Sequence, residues 1–235
     1  HALALKTFKD AVAVRDAVWN LAMDGKGDIR IVIGGGGPTG VELAGELKAW
    51  CGQLKKDFKA CQLEVNIIQA TPTILPGFDH RVIQRATKRL HLLSVNLLTE
   101  KRITGVKKDS VALSDGTSIP FDVFIWTGGT RGSSTAANLP LKTEERAQIA
   151  VIGPMECIPQ TQNLKLHRKI YALGDAVCFY DPKTKKNVPG VARAAISQAN
   201  VAAGNIIEDI KTEEKISKSP RYKVYRPIAY PYVIP

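Results

Sequence analysis

No stretch of this 235-residue sequence approaches the roughly 18 to 20 consecutive apolar residues that a membrane-spanning helix needs. The four cysteines form neither a Cys-x-x-Cys pair nor a zinc-binding spacing, and the histidines are scattered. Asn-x-Ser/Thr sites for glycosylation and a signal peptide are also missing. These absences argue against a membrane-spanning, secreted or metal-binding protein, and they predict a reduced protein of the cytoplasm.

The composition is that of an ordinary globular protein with an excess of positive charge. Apolar residues make up 44% and charged residues 23%, which excludes a disordered chain and suffices for one large domain or two small ones. Lysine and arginine together exceed the acids by 33 to 22, a net charge of +11. The excess is concentrated in residues 211–226 and suits an anionic membrane surface. Nucleic acid is not predicted as a partner, because no recognition motif accompanies the basic segment.

Apolar periodicity predicts alternating helices and strands. The predicted helices cover 6–23, 38–54, 81–93 and 191–210. The predicted strands cover 29–33, 65–68, 94–98, 102–107, 110–113, 121–126 and 169–173. Asp115 and Gly116 supply a hairpin turn between the strands at 110–113 and 121–126.

This order predicts an α/β fold in which a parallel sheet carries a β-meander. The pattern changes after Trp126, and residues 128–168 read mostly as loop. We therefore expect two domains, residues 1–128 and residues 129–235. The chain begins without methionine and ends in an apolar stretch that resembles the entry to a strand, so we expect a fragment.

A glycine-rich turn is the strongest local signal for function. Gly35, Gly37 and Gly40 fit G-x-G-x-x-G between a predicted strand and a predicted helix that Pro38 opens. In this setting the glycines allow a tight turn, approach of the backbone to a pyrophosphate and close packing of the helix. The alternative is a merely structural turn. A P-loop is excluded because no Gly-Lys-Ser/Thr follows.

The second strand of this unit ends in Gln69 rather than in the usual acid. A carboxylate there would repel the 2′-phosphate of NADPH by about 4 kcal/mol at roughly 4 Å and an effective dielectric near 20. Gln69 removes that repulsion and still hydrogen-bonds a hydroxyl group. The sequence thus predicts relaxed discrimination between NADH and NADPH. The alternative is that Gln69 is an ordinary exposed strand end.

The stretch from Ile31 to Leu47 (IVIGGGGPTGVELAGEL) closely resembles the second glycine motif of type II NADH dehydrogenases. These enzymes belong to the FAD-dependent pyridine nucleotide–disulfide oxidoreductase superfamily. Further matches follow in the same order at residues 74–76 (ILP), Asp115-Gly116, 125–129 (IWTGG) and 170–176 (IYALGDA). The resemblance covers roughly residues 5–206.

The resemblance implies roles for individual residues. It assigns the NAD(P)H pyrophosphate turn to Gly35, Gly36, Gly37, Pro38, Thr39 and Gly40. It places Glu42 near the nicotinamide, although an acid in the first helical turn would also complement the helix dipole. Thr127 and Gly128 close the same cleft, while Gly174 and Asp175 resemble the second FAD fingerprint. No side chain is assigned a catalytic role, because the flavin carries the chemistry.

Two departures from the family pattern bear on the activity. The chain has one glycine motif, whereas the family holds FAD chiefly through a first motif nearer the N-terminus. Residues 1–128 therefore resemble the NAD(P)H domain, and residues 129–235 resemble the second part of a split FAD domain. The family's quinone-lining Ala-Gln-x-Ala-x-Gln pattern is also altered, with Arg193 and Ser197 in place of the glutamines and Gln198 next to them.

The resemblance implies that the intact protein transfers hydride from NADH, and from NADPH as an alternative donor, to FAD and then reduces a quinone-type acceptor. Peripheral association with the inner face of a membrane would accompany that activity. Two alternatives remain open. One is another flavoprotein reductase of this fold, similar to apoptosis-inducing factor or to ferredoxin reductases. The other is a non-catalytic NAD(P)H-binding module, which this chain would be in isolation.

Overall fold

The computed structural model describes residues 2–58, 62–129, 131–144, 146–165, 170–216 and 219–227. The chain divides into two compact units, one extending to Gly129 and the other taking the described residues from 131 onward. The expected domain boundary at residue 128 lies next to this division. The assignment of NAD(P)H and FAD roles to the two parts stays a prediction.

The described residues of the first unit form eight strands. They are β1 (Ala2–Ala4), β2 (Asp28–Gly34), β3 (Gln62–Ile68), β4 (Val95–Leu98), β5 (Ile103–Val106), β6 (Ser110–Leu113), β7 (Ser118–Pro120) and β8 (Val123–Trp126). Five of them form a parallel sheet in the order β1-β8-β2-β3-β4, and β5, β6 and β7 form a separate antiparallel sheet. The predicted α/β fold with a parallel sheet and a meander is therefore confirmed.

The helices of this unit, in the part that the structure describes, are α1 (Phe8–Met23), α2 (Pro38–Asp57) and α3 (His80–Leu92). Thr7 and Asp10 begin α1 with reciprocal hydrogen bonds, and Asp79 caps α3 by accepting from the Arg81 N–H. Ile31 and Ile67 on the strands are fully buried in one core with Leu54 of α2. Burial of each such side chain contributes roughly 1.5–3 kcal/mol to the stability of the fold. The sheet is therefore held in place by the face that packs against the helix.

Two elements of the first unit differ from the prediction. Residues 2–4 form a strand paired with β8, where the sequence predicted none, because three residues are too few to carry a periodic signal. The Asp115-Gly116 turn joins β6 to β7 instead of to the strand predicted at 121–126. That strand begins only at Val123, because the N–H of Phe121 donates instead to the Asp109 carbonyl, next to the first residue of β6.

The second unit has less regular structure. Its elements are α4 (Ser134–Ala137), β9 (Ile149–Ala150), a short 3-10 turn at Gly174–Ala176, β10 (Val177–Cys178) and α5 (Ala192–Glu213). The strand predicted at 169–173 is wrong for residues 170–173, which make only an isolated bridge between Tyr171 and Glu156. Lys169 lies outside the described residues, as does the apolar end at 230–235. The helix predicted at 191–210 is confirmed and continues to Glu213.

Helix α5 holds the segment that follows it. Asn205 is fully buried, donates to the carbonyl oxygens of Pro154 and Lys223 and accepts from the Lys223 N–H. Tyr225 is buried against Phe179 with the ring centroids 5.1 Å apart. In the described part of the chain, no helix is long and apolar enough to cross a bilayer.

Candidate functional site

The glycine turn lies at the point where the connections of the parallel sheet change direction. From β2 the chain crosses to β3 on one side, while β8 pairs with β2 on the other. In open α/β sheets such a point leaves a crevice outside the carboxyl ends of the strands, where ligands bind. Gly35 follows β2 and Thr127 follows β8, so the predicted residues from both ends meet there.

Two glycines of the turn are required by close packing. Gly35 has φ +121°, and a Cβ there would lie 3.0 Å from the Gly128 Cα. A Cβ on Gly40 would lie 2.0 Å from the Gly35 carbonyl oxygen. The Thr127 hydroxyl donates to that same oxygen at 3.0 Å, and the backbone N–H of Thr127 donates to the Gly34 carbonyl. The structure therefore brings Gly35, Gly40, Thr127 and Gly128 into one packed group.

Gly37 is different, because the space in front of it is open. Among the described residues, no atom lies within 4 Å of the position that a Cβ on Gly37 would occupy. Gly37 is the N-cap of α2, no side chain caps this end, and Pro38 occupies the first turn. The first N–H groups of a helix have no acceptor within the helix, and the helix dipole adds about half a positive charge there. Open space at such an end is suited to a diphosphate.

The loop after β3 holds the turn from the opposite side. The Gly36 N–H donates to Oε1 of Gln69 at 2.8 Å, and the Gly36 carbonyl accepts from the Leu75 N–H at 2.7 Å. Leu75 is fully buried at φ +50°, an unfavourable conformation for a residue with a Cβ. Both polar groups of Gly36 are therefore bound by the chain itself. Sequence reasoning did not identify this role of Leu75.

The orientation of the Gln69 amide follows from its neighbours. Its Oε1 faces an N–H that can only donate, and its Nε2 donates to the Thr71 hydroxyl at 2.6 Å. That hydroxyl in turn donates to the Thr73 carbonyl at 2.8 Å, so it accepts from Gln69. Gln69 is half-buried and engaged on two sides, and the alternative of an ordinary exposed strand end is wrong.

Glu42 and Thr39 lie on the exposed side of α2. The Glu42 carboxylate has no hydrogen-bond or ion-pair partner in the described part of the chain. The first turn of α2 contains no acid, because Glu42 lies one residue beyond it. The helix dipole therefore gives a weaker reason for an acid at this position than the sequence suggested. Its predicted place near the nicotinamide stays a prediction.

Trp126 is a residue of this region that sequence reasoning missed. Trp126 is 46% exposed, and its indole lies over Gly34 at the end of β2 and over Gly128. A Cβ on Gly34 would lie 2.7 Å from the ring, and so would one on Gly128. The indole thus occupies space that is free only because Gly34 and Gly128 have no side chains. The only signal in the sequence was that a tryptophan directly precedes Thr127 and Gly128.

In the second unit, Gly174 and Asp175 form the predicted turn at the start of a short 3-10 segment. Gly174 has φ +70°, and its N–H donates to Oε1 of Gln198 at 2.8 Å. The Asp175 carbonyl accepts from Gln148 at 2.9 Å. Among the described residues, nothing donates to the exposed Asp175 carboxylate, which lies over Gly190. An exposed carboxylate on a fixed turn fits the hydroxyl groups of a ribityl or ribose chain.

The altered quinone pattern on α5 divides into exposed and buried positions. Arg193 is exposed and Ser197 is half-buried, whereas Gln198 is 3% exposed and holds the Gly174 turn. Gln198 is thus bound within the unit, whereas the sequence had indicated only that a glutamine remains next to the altered family pattern.

Burial raises the pKa of the Cys157 thiol to about 11, which keeps it in the unreactive form at neutral pH.

Comparison with known proteins agrees with this geometry. A family model for pyridine nucleotide-disulphide oxidoreductases matches residues 3–199. The chain is 29% identical over 173 residues to the mitochondrial internal alternative NAD(P)H-ubiquinone oxidoreductase A1 of Arabidopsis thaliana, covering 71% of this chain and 32% of that protein. It is 26% identical over 194 residues to the type II NADH:quinone oxidoreductase Ndh of Mycobacterium tuberculosis, covering 79% and 40%.

A solved structure with the same fold is that of NDH2 from Plasmodium falciparum in complex with NADH. The TM-score is 0.58 at 22% identity, and the match covers 77% of this chain and 40% of that chain. The chain spans about a third to two fifths of the length of these relatives. The resemblance inferred from the glycine motif is confirmed by these matches.

Proposed function

Because this chain belongs to the pyridine nucleotide-disulphide oxidoreductase family, we propose that its first unit binds NADH and that the whole protein passes the hydride to FAD and the electrons to a quinone. One observation carries the proposal. A preformed glycine turn at the crevice of the parallel sheet leaves open space in front of the uncapped N-terminus of α2. The names of the two relatives, both quinone oxidoreductases, support the acceptor.

The backbone of the turn binds the diphosphate of the nucleotide in this proposal. The N–H groups of Gly37, Thr39 and Gly40 lie at the helix N-terminus, where they add to the positive end of the helix dipole. Pro38 contributes no N–H and fixes the first turn instead. Gly35 and Thr127 hold the turn in place through the bond between the Thr127 hydroxyl and the Gly35 carbonyl.

The same site accepts NADPH as well as NADH. With its oxygen bound to Gly36 and one amide hydrogen bound to Thr71, Gln69 has one N–H left to offer. A donor is compatible with a ribose hydroxyl and with a 2′-phosphate, whereas a carboxylate would repel the phosphate. The structural role of Gln69 therefore supports relaxed discrimination between the two nucleotides.

FAD fits the second unit through the Gly174–Asp175 turn. The exposed Asp175 carboxylate would accept hydrogen bonds from the sugar part of the cofactor, and Gln198 fixes the turn from which it projects. When bound, FAD supplies the hydride acceptor that no side chain provides. The protein contributes binding and orientation.

The substitution Gly37→Ala tests the proposal. A methyl group at this position meets no atom of the described residues within 4 Å, and φ is −74°, so the fold should tolerate it. It would nevertheless fill the space assigned to the diphosphate. We expect the Kd for NADH, measured by nucleotide fluorescence, to rise at least tenfold while the midpoint of urea unfolding stays close to that of the wild type.

Gly45→Ala is the matched control, because Gly45 lies on the same helix and a Cβ there also meets nothing. We expect the control to bind NADH like the wild type. Equal affinity of the Gly37→Ala variant and the wild type would contradict the proposed site. If the wild-type chain does not bind NADH, the proposed function itself is refuted.

A second candidate is a flavoprotein reductase of this fold that reduces an acceptor other than quinone. The exposed Arg193 at a position where quinone-reducing enzymes carry glutamine favours it. The two functions are distinguished by the oxidation rate of NADH by the full-length protein with a soluble quinone or with ferredoxin as acceptor. Faster oxidation of NADH with ferredoxin than with quinone would show that the acceptor is a protein and not a quinone.

A further inference from the structure

The indole of Trp126 is an exposed aromatic surface at the crevice of the parallel sheet. Trp126 is the last residue of β8 and is 46% exposed, although tryptophan is a mostly buried residue type. It pairs with Gly34, the last residue of β2, so it lies at the same carboxyl edge of the sheet as the glycine turn. We propose that the indole is a stacking platform for the nicotinamide ring of the dinucleotide, an inference that rests on the proposed function of the first unit.

The residues beneath the indole hold it in one place. Its ring centroid lies 6.3 Å from that of the fully buried Phe124, at an interplanar angle of 58°. The ring of Phe124 in turn lies 5.5 Å from that of Phe121. Gly34 and Gly128 lie directly against the indole, where a Cβ on either would come within 2.7 Å of a ring atom. A side chain that is ordered in this way before binding loses little conformational entropy when a ligand stacks on it.

Close packing connects the indole with the glycine turn. A Cβ on Gly35 would lie 3.0 Å from the Gly128 Cα, and Gly128 itself lies against the indole. Gly128 is thus enclosed between the turn and Trp126, and the Thr127 hydroxyl fixes this arrangement by donating to the Gly35 carbonyl. A ring that a ribose joins to a diphosphate at this turn is therefore within reach of the indole.

The position of Trp126 in the sheet selects the nicotinamide half of the nucleotide. The strand order places β3 on one side of β2 and β8 on the other. In the proposed site, Gln69 at the end of β3 faces the ribose of the adenosine half. A dinucleotide whose diphosphate lies at the turn after β2 extends along the crevice to both sides. Its nicotinamide half therefore lies over the end of β8, where Trp126 is exposed.

The chemistry of the indole suits both redox forms of this ring. The oxidised nicotinamide ring carries a positive charge, and the face of a tryptophan attracts cations more strongly than that of any other side chain. The reduced ring is uncharged and stacks through dispersion and apolar contact. Stacking of a planar heterocycle on an aromatic side chain strengthens binding by roughly fivefold to a hundredfold.

Calorimetric titration of the 235-residue chain with NADH and with ADP-ribose tests the proposal. ADP-ribose contains the adenosine and the diphosphate but lacks the nicotinamide ring. We expect Trp126→Leu to raise the Kd for NADH at least about fivefold and the Kd for ADP-ribose less than about twofold. Trp126→Phe keeps a smaller aromatic face and should have an intermediate Kd for NADH. Urea unfolding checks that both variants are folded.

Phe8→Leu is the matched control, because Phe8 is an exposed aromatic residue at the start of α1. We expect it to bind both ligands like the wild type. Equal weakening of NADH and ADP-ribose by Trp126→Leu would show that the indole only supports the turn, and unchanged affinity for NADH would show that it does not touch the nucleotide. Either result overturns the platform and leaves the nucleotide site in place. If the wild type binds neither ligand, the proposed function is refuted and the platform with it.

A fluorescence measurement tests the contact without any change at position 126. The chain has three tryptophans, so Trp126 is the only one left in the variant W19F/W50F. An oxidised nicotinamide ring quenches the fluorescence of an indole that it contacts. We expect saturating NAD⁺ to quench most of the emission of this variant and ADP-ribose to leave the emission nearly unchanged. Equal emission of the two complexes would overturn the proposal.

Discussion

The Gln69 side chain accepts a hydrogen bond from the Gly36 N–H at 2.8 Å, across 33 positions of sequence. This bond joins the end of β3 to the turn that follows β2. It directs the acceptor of the amide inward, so that the side chain has only an N–H left to offer. In the proposed nucleotide site, selectivity for the nucleotide and stability of the turn thus depend on the same side chain.

Gln69→Glu should create discrimination against NADPH. The carboxylate retains an acceptor for Gly36 and places a negative charge near the 2′ position of the ribose. At roughly 4 Å and an effective dielectric near 20, repulsion of a phosphate reaches about 4 kcal/mol, so we expect the Kd for NADPH to rise by more than tenfold. The Kd for NADH should change by less than threefold. Both constants are measured by fluorescence titration.

Gln62→Glu provides the control, since Gln62 is exposed at the opposite end of β3. The same change of charge there should affect both nucleotides equally. If the Gln69→Glu variant binds NADPH as tightly as the wild type does, the nucleotide lies elsewhere.

Gly40→Ala should destabilise the first unit. The added Cβ would lie 2.0 Å from the Gly35 carbonyl oxygen, a backbone atom that cannot rotate away. Such overpacking costs about 1–3 kcal/mol or more, because the helix must move off the strand. Urea denaturation should show the loss. An unchanged midpoint would mean that α2 shifts freely, in conflict with the packed group around Thr127.

Asp122 should make the stability depend on pH in the acid range. Burial alone would raise the pKa of Asp122, but hydrogen bonds from Arg30 and Lys26 outweigh it and lower the pKa to about 2. A carboxyl with a depressed pKa stabilises the fold above its unfolded pKa of about 4, and this contribution disappears as the pH falls towards 2. We expect about 2 kcal/mol to be lost over that interval.

Asp122→Asn should lack that part of the pH dependence and be less stable than the wild type at neutral pH. Asp57→Asn, at an exposed position near the end of α2, serves as the control and should follow the wild-type curve. Urea unfolding at a series of pH values provides the measurement. Parallel curves for the wild type and the Asp122→Asn variant would disprove the role of the ion pairs.

Gln198→Met should weaken the second unit rather than the first. The buried glutamine caps the Gly174 N–H, and its loss leaves a donor without a partner, at a cost of about 1–3 kcal/mol. Gln148→Met removes a bond to the Asp175 carbonyl nearby and should cost less, because that bond is exposed. Hydrogen exchange, read by peptide, distinguishes loss in residues 146–216 from loss in the parallel sheet.

The sequence predicted the parts of the fold whose signal is local. In the run from Ile29 to Ile33 every residue except Arg30 is buried in the sheet, and such strands read as nearly continuous β-branched stretches. The glycine turn was predictable because only particular backbone conformations and close contacts require glycine at those spacings. Strand β1 was not, since its three residues acquire their structure by pairing with β8.

The partners of the site residues could not be predicted in the same way. Gln69 was identified by its place at the end of a strand, but its bonds to Gly36 and Thr71 depend on the path of the loop after it. Leu75 carries no signal for a left-handed conformation, which glycine or asparagine would have indicated. Tertiary contacts determine both features, and a single sequence does not contain them in readable form.

The two hydrogen bonds of the Gly36 backbone, from its N–H to Gln69 and from the Leu75 N–H to its carbonyl, affect the thermodynamics expected for ligand binding. Gln69 and Leu75 immobilise the peptide groups of this residue when the chain folds, before any nucleotide arrives. If the turn binds a diphosphate as proposed, the conformational entropy that a flexible loop would lose on association is already lost, so more of the interaction energy remains as affinity. The Gly36 amide should accordingly exchange its hydrogen slowly in the ligand-free protein, which makes the site a preorganised one.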